Sequence, residues 1–121
     1  MSSVLVIDDE PEILETTRWA LETAGYEVLT AVTGEEGLKQ VEASHPNMFL
    51  VDFKLPRMSG LEFLRQAKNT DPKTQAVMIT GFTHETKALE EQCQELGVRE
   101  LLHKPLQMDK VLQIVREVLG G

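Results

Sequence analysis

Apolar residues along the chain fall into two kinds of stretch, and the two kinds alternate. Val4-Leu5-Val6-Ile7, Met48-Phe49-Leu50-Val51 and Ala76-Val77-Met78-Ile79-Thr80 are short unbroken runs. A half-exposed strand would alternate polar and apolar residues, so an unbroken run predicts a strand buried on both faces. Tyr26–Ala31 and Arg99–His103 mix polar residues in and predict two further strands at sheet edges. Between the strands the apolar spacing becomes helical. The first helix opens at Pro11, with Asp9 as its expected N-cap and Glu12 closing a capping box. Its apolar face is Ile13, Thr17, Ala20, Leu21 and Ala24, it ends at Gly25, and Trp19 falls on the polar side. Thr33-Gly34-Glu35-Glu36 and Ser59-Gly60-Leu61-Glu62 are capping signatures. They open helices carrying Leu38 and Val41, to about Ser44, and Leu61, Phe63, Leu64 and Ala67. Thr83 is expected to cap a fourth helix to Leu96, closed by Gly97. In the last helix Met108, Val111, Leu112, Val115, Val118 and Leu119 share one face.

Strands alternating with helices through short links predict a doubly wound α/β fold, a parallel sheet covered on both faces with right-handed crossovers. With the second and fifth strands as edges, the order 2-1-3-4-5 fits, and the first and third strands meet at the switch point. Ligands bind in such sheets at the carboxyl ends of the strands, and there Asp8, Asp9 and Asp52 converge. Three carboxylates in one crevice repel one another unless a cation compensates them. Oxygen ligands that are few and leave water positions open suit Mg²⁺; calcium would want more ligands and a wrapping loop. Thr80 ends the fourth strand and Lys104 the fifth. A hydroxyl, an ammonium and a magnesium ion around a spare carboxylate make a receptor for a phosphoryl group. Singly, Asp52 reads as a turn residue, Asp9 as a cap, Thr80 as a strand-end β-former and Lys104 as a solvated charge. Four of five strand ends supplying such residues to one sheet edge is what carries the reading.

The 121 residues are one domain's worth, taken as a single unit over residues 1–121. A net charge of −8 argues against direct nucleic-acid binding and favours a cationic partner or a metal. The lone Cys93 excludes an internal disulfide and a thiolate zinc cluster, and its helical spacing with Leu89 and Leu96 marks it as core. There is no signal peptide and no apolar run near the roughly 18 residues of a membrane span, so a soluble cytoplasmic protein is expected.

Val6-Ile7-Asp8-Asp9-Glu10, Val51-Asp52 with Pro56 and Ser59-Gly60, Ile79-Thr80-Gly81 and Lys104-Pro105 together resemble the receiver domain of two-component response regulators, chemotaxis regulators among them. The likeness covers essentially the whole chain and implies a flavodoxin-like fold. It also implies that Asp52 accepts a phosphoryl group from a phosphohistidine on a sensor kinase or phosphotransfer protein. Asp9 and Asp52 would ligate Mg²⁺ directly with the backbone carbonyl of Lys54, and Asp8 mostly through water. Lys104 would pair with the phosphoryl oxygens, Thr80 would read the phosphorylated state, and Lys104-Pro105 would be a cis peptide. Such a domain promotes its own phosphorylation and dephosphorylation but is not a turnover enzyme. Three features depart from the family pattern. Leu101 replaces a usual aromatic, Lys54 and Phe82 stand where relatives tune phosphate lifetime, and Thr80 to Gly97 is about two residues longer than usual. Ile13 and Leu14, at the crevice end of the first helix, are expected to remain accessible for donor docking. Two rivals share the architecture. A haloacid-dehalogenase-type phosphatase would need Asp-x-Asp after the first strand, where Asp8 and Asp9 are adjacent. A flavodoxin-like electron carrier would need a Ser/Thr/Gly-rich phosphate loop there.

Overall fold

The computed structural model describes residues 1–81 and 86–120. Five strands, β1 (Ser3–Ile7), β2 (Glu27–Ala31), β3 (Met48–Asp52), β4 (Gln75–Thr80) and β5 (Glu100–His103), alternate with five helices. The helices are α1 (Pro11–Thr23), α2 (Gly34–Ser44), α3 (Gly60–Thr70), α4 (Thr86–Glu95) and α5 (Met108–Leu119). All strand pairs are parallel, and the order β2-β1-β3-β4-β5 is the expected one. Thr83, the expected cap of the fourth helix, and Phe82 lie outside the described residues.

Side chains alternate across a strand, so each central strand feeds two cores. Leu5, Ile7, Phe49, Val51, Ala76 and Met78 pack with Val41, Phe63, Leu64, Leu89 and Cys93 of α2, α3 and α4. Val4, Val6, Met48, Leu50, Val77 and Ile79 pack with Leu14, Leu21, Val111, Ile114 and Val115 of α1 and α5. Phe49 and Phe63 meet edge to face, centroids 5.6 Å apart. Burial of β1 and β3 on both faces is why their sequences are unbroken apolar runs.

Helix starts follow the capping chemistry at two of the expected places. Thr33 and Ser59 accept backbone N–H bonds from Glu36 and Glu62 at 3.1 and 3.2 Å. The α1 start does not. Its N-cap is Glu10, no side chain caps it, and the expected Asp9–Glu12 capping box is absent. The Glu10 N–H is instead taken by Asp8 Oδ1 at 2.8 Å, which draws the chain end toward the crevice. The buried stripe of α1 also differs from expectation. Leu14 is buried with Thr17, Ala20 and Leu21, while Ile13 is half buried and Ala24 exposed. Ala24 caps the helix just before Gly25, whose φ of 99° turns the chain away, so the last apolar position leaves the core. Trp19 is solvent-facing as expected, at 70% exposure. In α5, Ile114 joins the buried set between Val111 and Val115.

Candidate functional site

Strand register brings the chemistry together. Ile7 pairs with Val51, so Asp8 and Asp52 are the next step of neighbouring strands. Asp52 pairs with Ile79, and Thr80 with His103, which places Thr80 and Lys104 one step further along β4 and β5. By alternation Asp8 shares its face with Val4 and Val6, and Asp52 with Met48 and Leu50. Both carboxylates therefore stand on the α1 and α5 side. The α3 start is pressed against the same strand end. Gly60 N–H bonds to the Phe53 carbonyl at 2.8 Å, and a Cβ on Gly60 would lie 2.5 Å from the Asp52 carbonyl oxygen. Only glycine fits there.

Within this frame Lys104 is the hub. Its ammonium donates to Asp52 Oδ2 at 2.9 Å and to Glu10 Oε1 at 2.6 Å, and lies 3.7 Å from Asp8 Oδ2. Burial works against the charge of Lys104. The hydrogen bonds to Glu10 and Asp52 and the attraction of Asp52 and Asp8 outweigh it and hold the ammonium above its usual pKa. Lys54 N–H reaches Asp52 Oδ1 at 3.3 Å. Asp8 is 2% exposed, and burial, then the charge of Asp52, pushes its carboxyl up from 3.8 to about 6, against the lowering effect of the Glu10 N–H and of Lys104. Among the described residues, Asp8 Oδ2 has no hydrogen-bond partner. Carboxylate oxygens of Asp8, Asp9, Glu10 and Asp52 lie within 4.8 Å of one another. An unpartnered buried carboxylate oxygen among other carboxylates, with exposed Asp9 at the rim, is a donor set suited to a hard cation.

A cleft of about 490 Å³ opens over this group, lined by Asp9, Asp52, Lys54 and Lys104 and by Leu55 and Pro56. It admits a phosphoryl group and several waters, at about 30 Å³ per water. Thr80 is buried at the end of β4, where its carbonyl accepts the Lys104 N–H at 2.8 Å. A second groove of about 280 Å³ runs between α1 and the β5–α5 connection, with Ile13, Thr16, Leu106 and Met108 on its walls. Ile13 thus stands where a docking partner could reach it, and Leu14, 7% exposed, does not. Leu101 is half buried against the α4-side core. The Lys104–Pro105 peptide is cis, as expected.

The residue that the sequence reading passed over is Glu10. A third acidic residue after the strand, directly before the helix-opening Pro11, was the available signal. Its partner Lys104 is 94 positions away.

A carboxylate pocket bridged by a lysine at the switch point of a 2-1-3-4-5 sheet defines a doubly wound signalling domain rather than an electron carrier. The chain belongs to the response regulator receiver domain family, which it matches over residues 4–116. Receiver domains accept phosphoryl groups in two-component signalling and are not classical enzymes; the phosphatase alternative finds no support. Among similar proteins, the alkaline phosphatase synthesis transcriptional regulatory protein PhoP of Bacillus subtilis is 33% identical over 117 residues. The match takes in 96% of this chain and 48% of PhoP, so the chain spans about half the length of that relative. A response regulator receiver domain protein (CheY-like) from Methanospirillum hungatei superposes with a TM-score of 0.89 at 32% identity, covering 97% of this chain and 92% of that one. The response regulator TrrA of Thermotoga maritima, solved in complex with Mg²⁺-BeF, superposes with a TM-score of 0.86 at 28% identity, covering 98% and 100%. No helix among the described residues is long and apolar enough to cross a membrane.

Proposed function

We propose that residues 1–121 act as one receiver domain in which Asp52 accepts the phosphoryl group, with a phosphohistidine of a sensor kinase or phosphotransfer protein as donor. The observation that carries this is the Lys104 ammonium, held 2.9 Å from Asp52 Oδ2 beside the unpartnered, buried Asp8 Oδ2. Asp8, Asp9 and Asp52, with the backbone of Lys54, would hold Mg²⁺, Asp8 mostly through water. The ion would neutralise charge on the transferring phosphoryl oxygens. In transfer, an Asp52 carboxylate oxygen attacks phosphorus, the Asp–O–P bond forms and the P–N bond to the donor imidazole breaks. Lys104 compensates the phosphoryl oxygens, and the Thr80 hydroxyl reads the loaded state. In loss of the phosphoryl group, water attacks phosphorus, inorganic phosphate leaves and the Asp52 carboxylate returns. The domain is loaded and unloaded once per signal, so it is not a turnover enzyme.

The groove of Ile13, Thr16, Leu106 and Met108 beside the cleft mouth gives a protein donor an apolar foothold next to the acceptor. A net charge of −8 favours protein partners over direct nucleic-acid binding, and a cytoplasmic site fits a kinase-fed receiver. The test is acetyl phosphate with Mg²⁺. Intact mass should rise by one phosphoryl group in the wild-type protein and stay unchanged in Asp52→Asn. An acid-labile phosphate on Asp52→Asn would refute the assignment.

A further inference from the structure

We infer that Glu10 is a latch on Lys104, a positioning residue that must release the ammonium before a phosphoryl group can be compensated on Asp52, and that it thereby slows loading. The inference rests on the receiver reading above.

Lys104 has three ammonium hydrogens to distribute. Asp8 and Asp52 sit behind it, nearly inaccessible, while the Glu10 side chain is 56% exposed at the cleft rim and makes the shortest contact, 2.6 Å. Lys104 is therefore suspended between acceptor and rim. A phosphoryl group joined to Asp52 adds its oxygens outward from that carboxylate, into the space the Lys104–Glu10 pair spans. Phosphorylation leaves negative charge on the Asp52 side, so that partner persists in a new form. The contact to Glu10 is the one given up.

Glu10 is also anchored as a surface glutamate ordinarily is not. Its backbone is extended, it is followed by Pro11 with fixed φ, and its N–H is held by Asp8 Oδ1 at 2.8 Å. The side chain thus starts from a fixed point at the mouth. Since a rim ion pair is weak, the latch is a brake and not a lock. Its removal should speed loading by about two- to five-fold, the range open to an exposed pair.

Three proteins decide it: wild type, Glu10→Gln, which removes the charge at constant length, and Glu10→Asp, which keeps the charge but retracts it. In metal-free protein the Lys104 side-chain ammonium should give a ¹⁵N signal slowed in exchange, and Glu10→Gln should lose it. Mg²⁺ affinity, read from amide shifts, should fall only modestly in Glu10→Gln, because a carboxylate within 4.8 Å of the other three loses its charge. Its phosphorylation by acetyl phosphate at saturating Mg²⁺ should be about two- to five-fold faster, with Glu10→Asp following it. An unchanged or slower rate in Glu10→Gln overturns the latch. So does wild-type behaviour of Glu10→Asp, which would show that charge at the mouth acts without the contact. A loss of Mg²⁺ affinity in Glu10→Gln as large as that in Asp9→Asn, measured alongside, also overturns it, by making Glu10 a metal ligand. Failure of the wild-type protein to be phosphorylated would instead refute the receiver reading itself.

Discussion

Replacing Asp8 by asparagine should make the metal-free protein more stable near neutral pH, although it damages the site. Asp8 is 2% exposed and, among the described residues, its Oδ2 accepts no hydrogen bond, the Lys104 ammonium lying 3.7 Å away. Burial, then the nearby Asp52 charge, raises its carboxyl from 3.8 to about 6, net of the Glu10 N–H and Lys104, which favour the ion. At about 1.36 kcal/mol per pH unit, the difference amounts to about 3 kcal/mol against the ionised form. The folded state holds the Asp8 proton more tightly than the unfolded chain does. The penalty is therefore fully present above about pH 6, shrinks as pH falls through that value, and is gone below 3.8. This runs opposite to a salt-bridged carboxylate, whose stabilisation is lost on acidification.

The assay is urea unfolding of wild type and Asp8→Asn in chelator, at pH ~7.5 and pH ~4.5. The variant should be more stable by up to about 3 kcal/mol at the higher pH, and the gap should largely close at the lower. Saturating Mg²⁺ should narrow the gap by stabilising wild type, since a ligand that binds only the folded state adds to its stability. A variant no more stable than wild type near neutral pH would refute the reasoning. So would a gap that widens on acidification, because either result would mean that Asp8 is well compensated by Lys104 alone.

Ile13→Ala should slow phosphotransfer from a protein donor while leaving acetyl phosphate loading near wild type; equal losses with both donors would remove Ile13 from docking. Gly60→Ala should destabilise by about 1–3 kcal/mol or more in thermal or urea unfolding, because its Cβ would meet the Asp52 carbonyl oxygen, which cannot move without shifting the acceptor strand. Ser59→Ala should cost about 1 kcal/mol by the same measurement through loss of the Glu62 N–H cap. Lys54→Ala should shorten the phosphoaspartate half-life, followed by loss of the phosphorylated mass; an unchanged half-life would show that the side chain does not shield the phosphoryl group.

What the sequence made legible follows from which interactions are local. Strands buried on both faces must be apolar throughout, so β1, β3 and β4 stand out in the chain, and the polar residues of β2 and β5 reveal the edges. Asp8 and Asp52 were legible for the converse reason: carboxylates ending buried strands are costly unless they meet a cation, and register brings them Lys104 from the end of the edge strand β5. Local signals failed where tertiary geometry chose between near-equivalent positions. Ile13 and Leu14 are adjacent, and only the seating of α1 against α5 and β1 decides that Leu14 enters the core while Ile13 lines a groove. Asp9 has the chemistry of an N-cap, yet the helix that opens at Pro11 as expected has Glu10 as its N-cap, with the Glu10 N–H bonded to the Asp8 side chain. That one-residue difference in the cap matters to function. With Asp9 as cap, the next residue would belong to the helix's first turn. With Glu10 at the boundary, its carboxylate reaches 2.6 Å from Lys104 across the cleft mouth. The same buried Asp8 that destabilises the empty fold thus also holds the Glu10 N–H at the helix boundary. Asp8→Asn keeps an Oδ1 that can accept the Glu10 N–H but removes the charge 3.7 Å from the Lys104 ammonium, so it should alter both unfolding and the Lys104 ammonium signal, whereas Glu10→Gln should alter mainly the second.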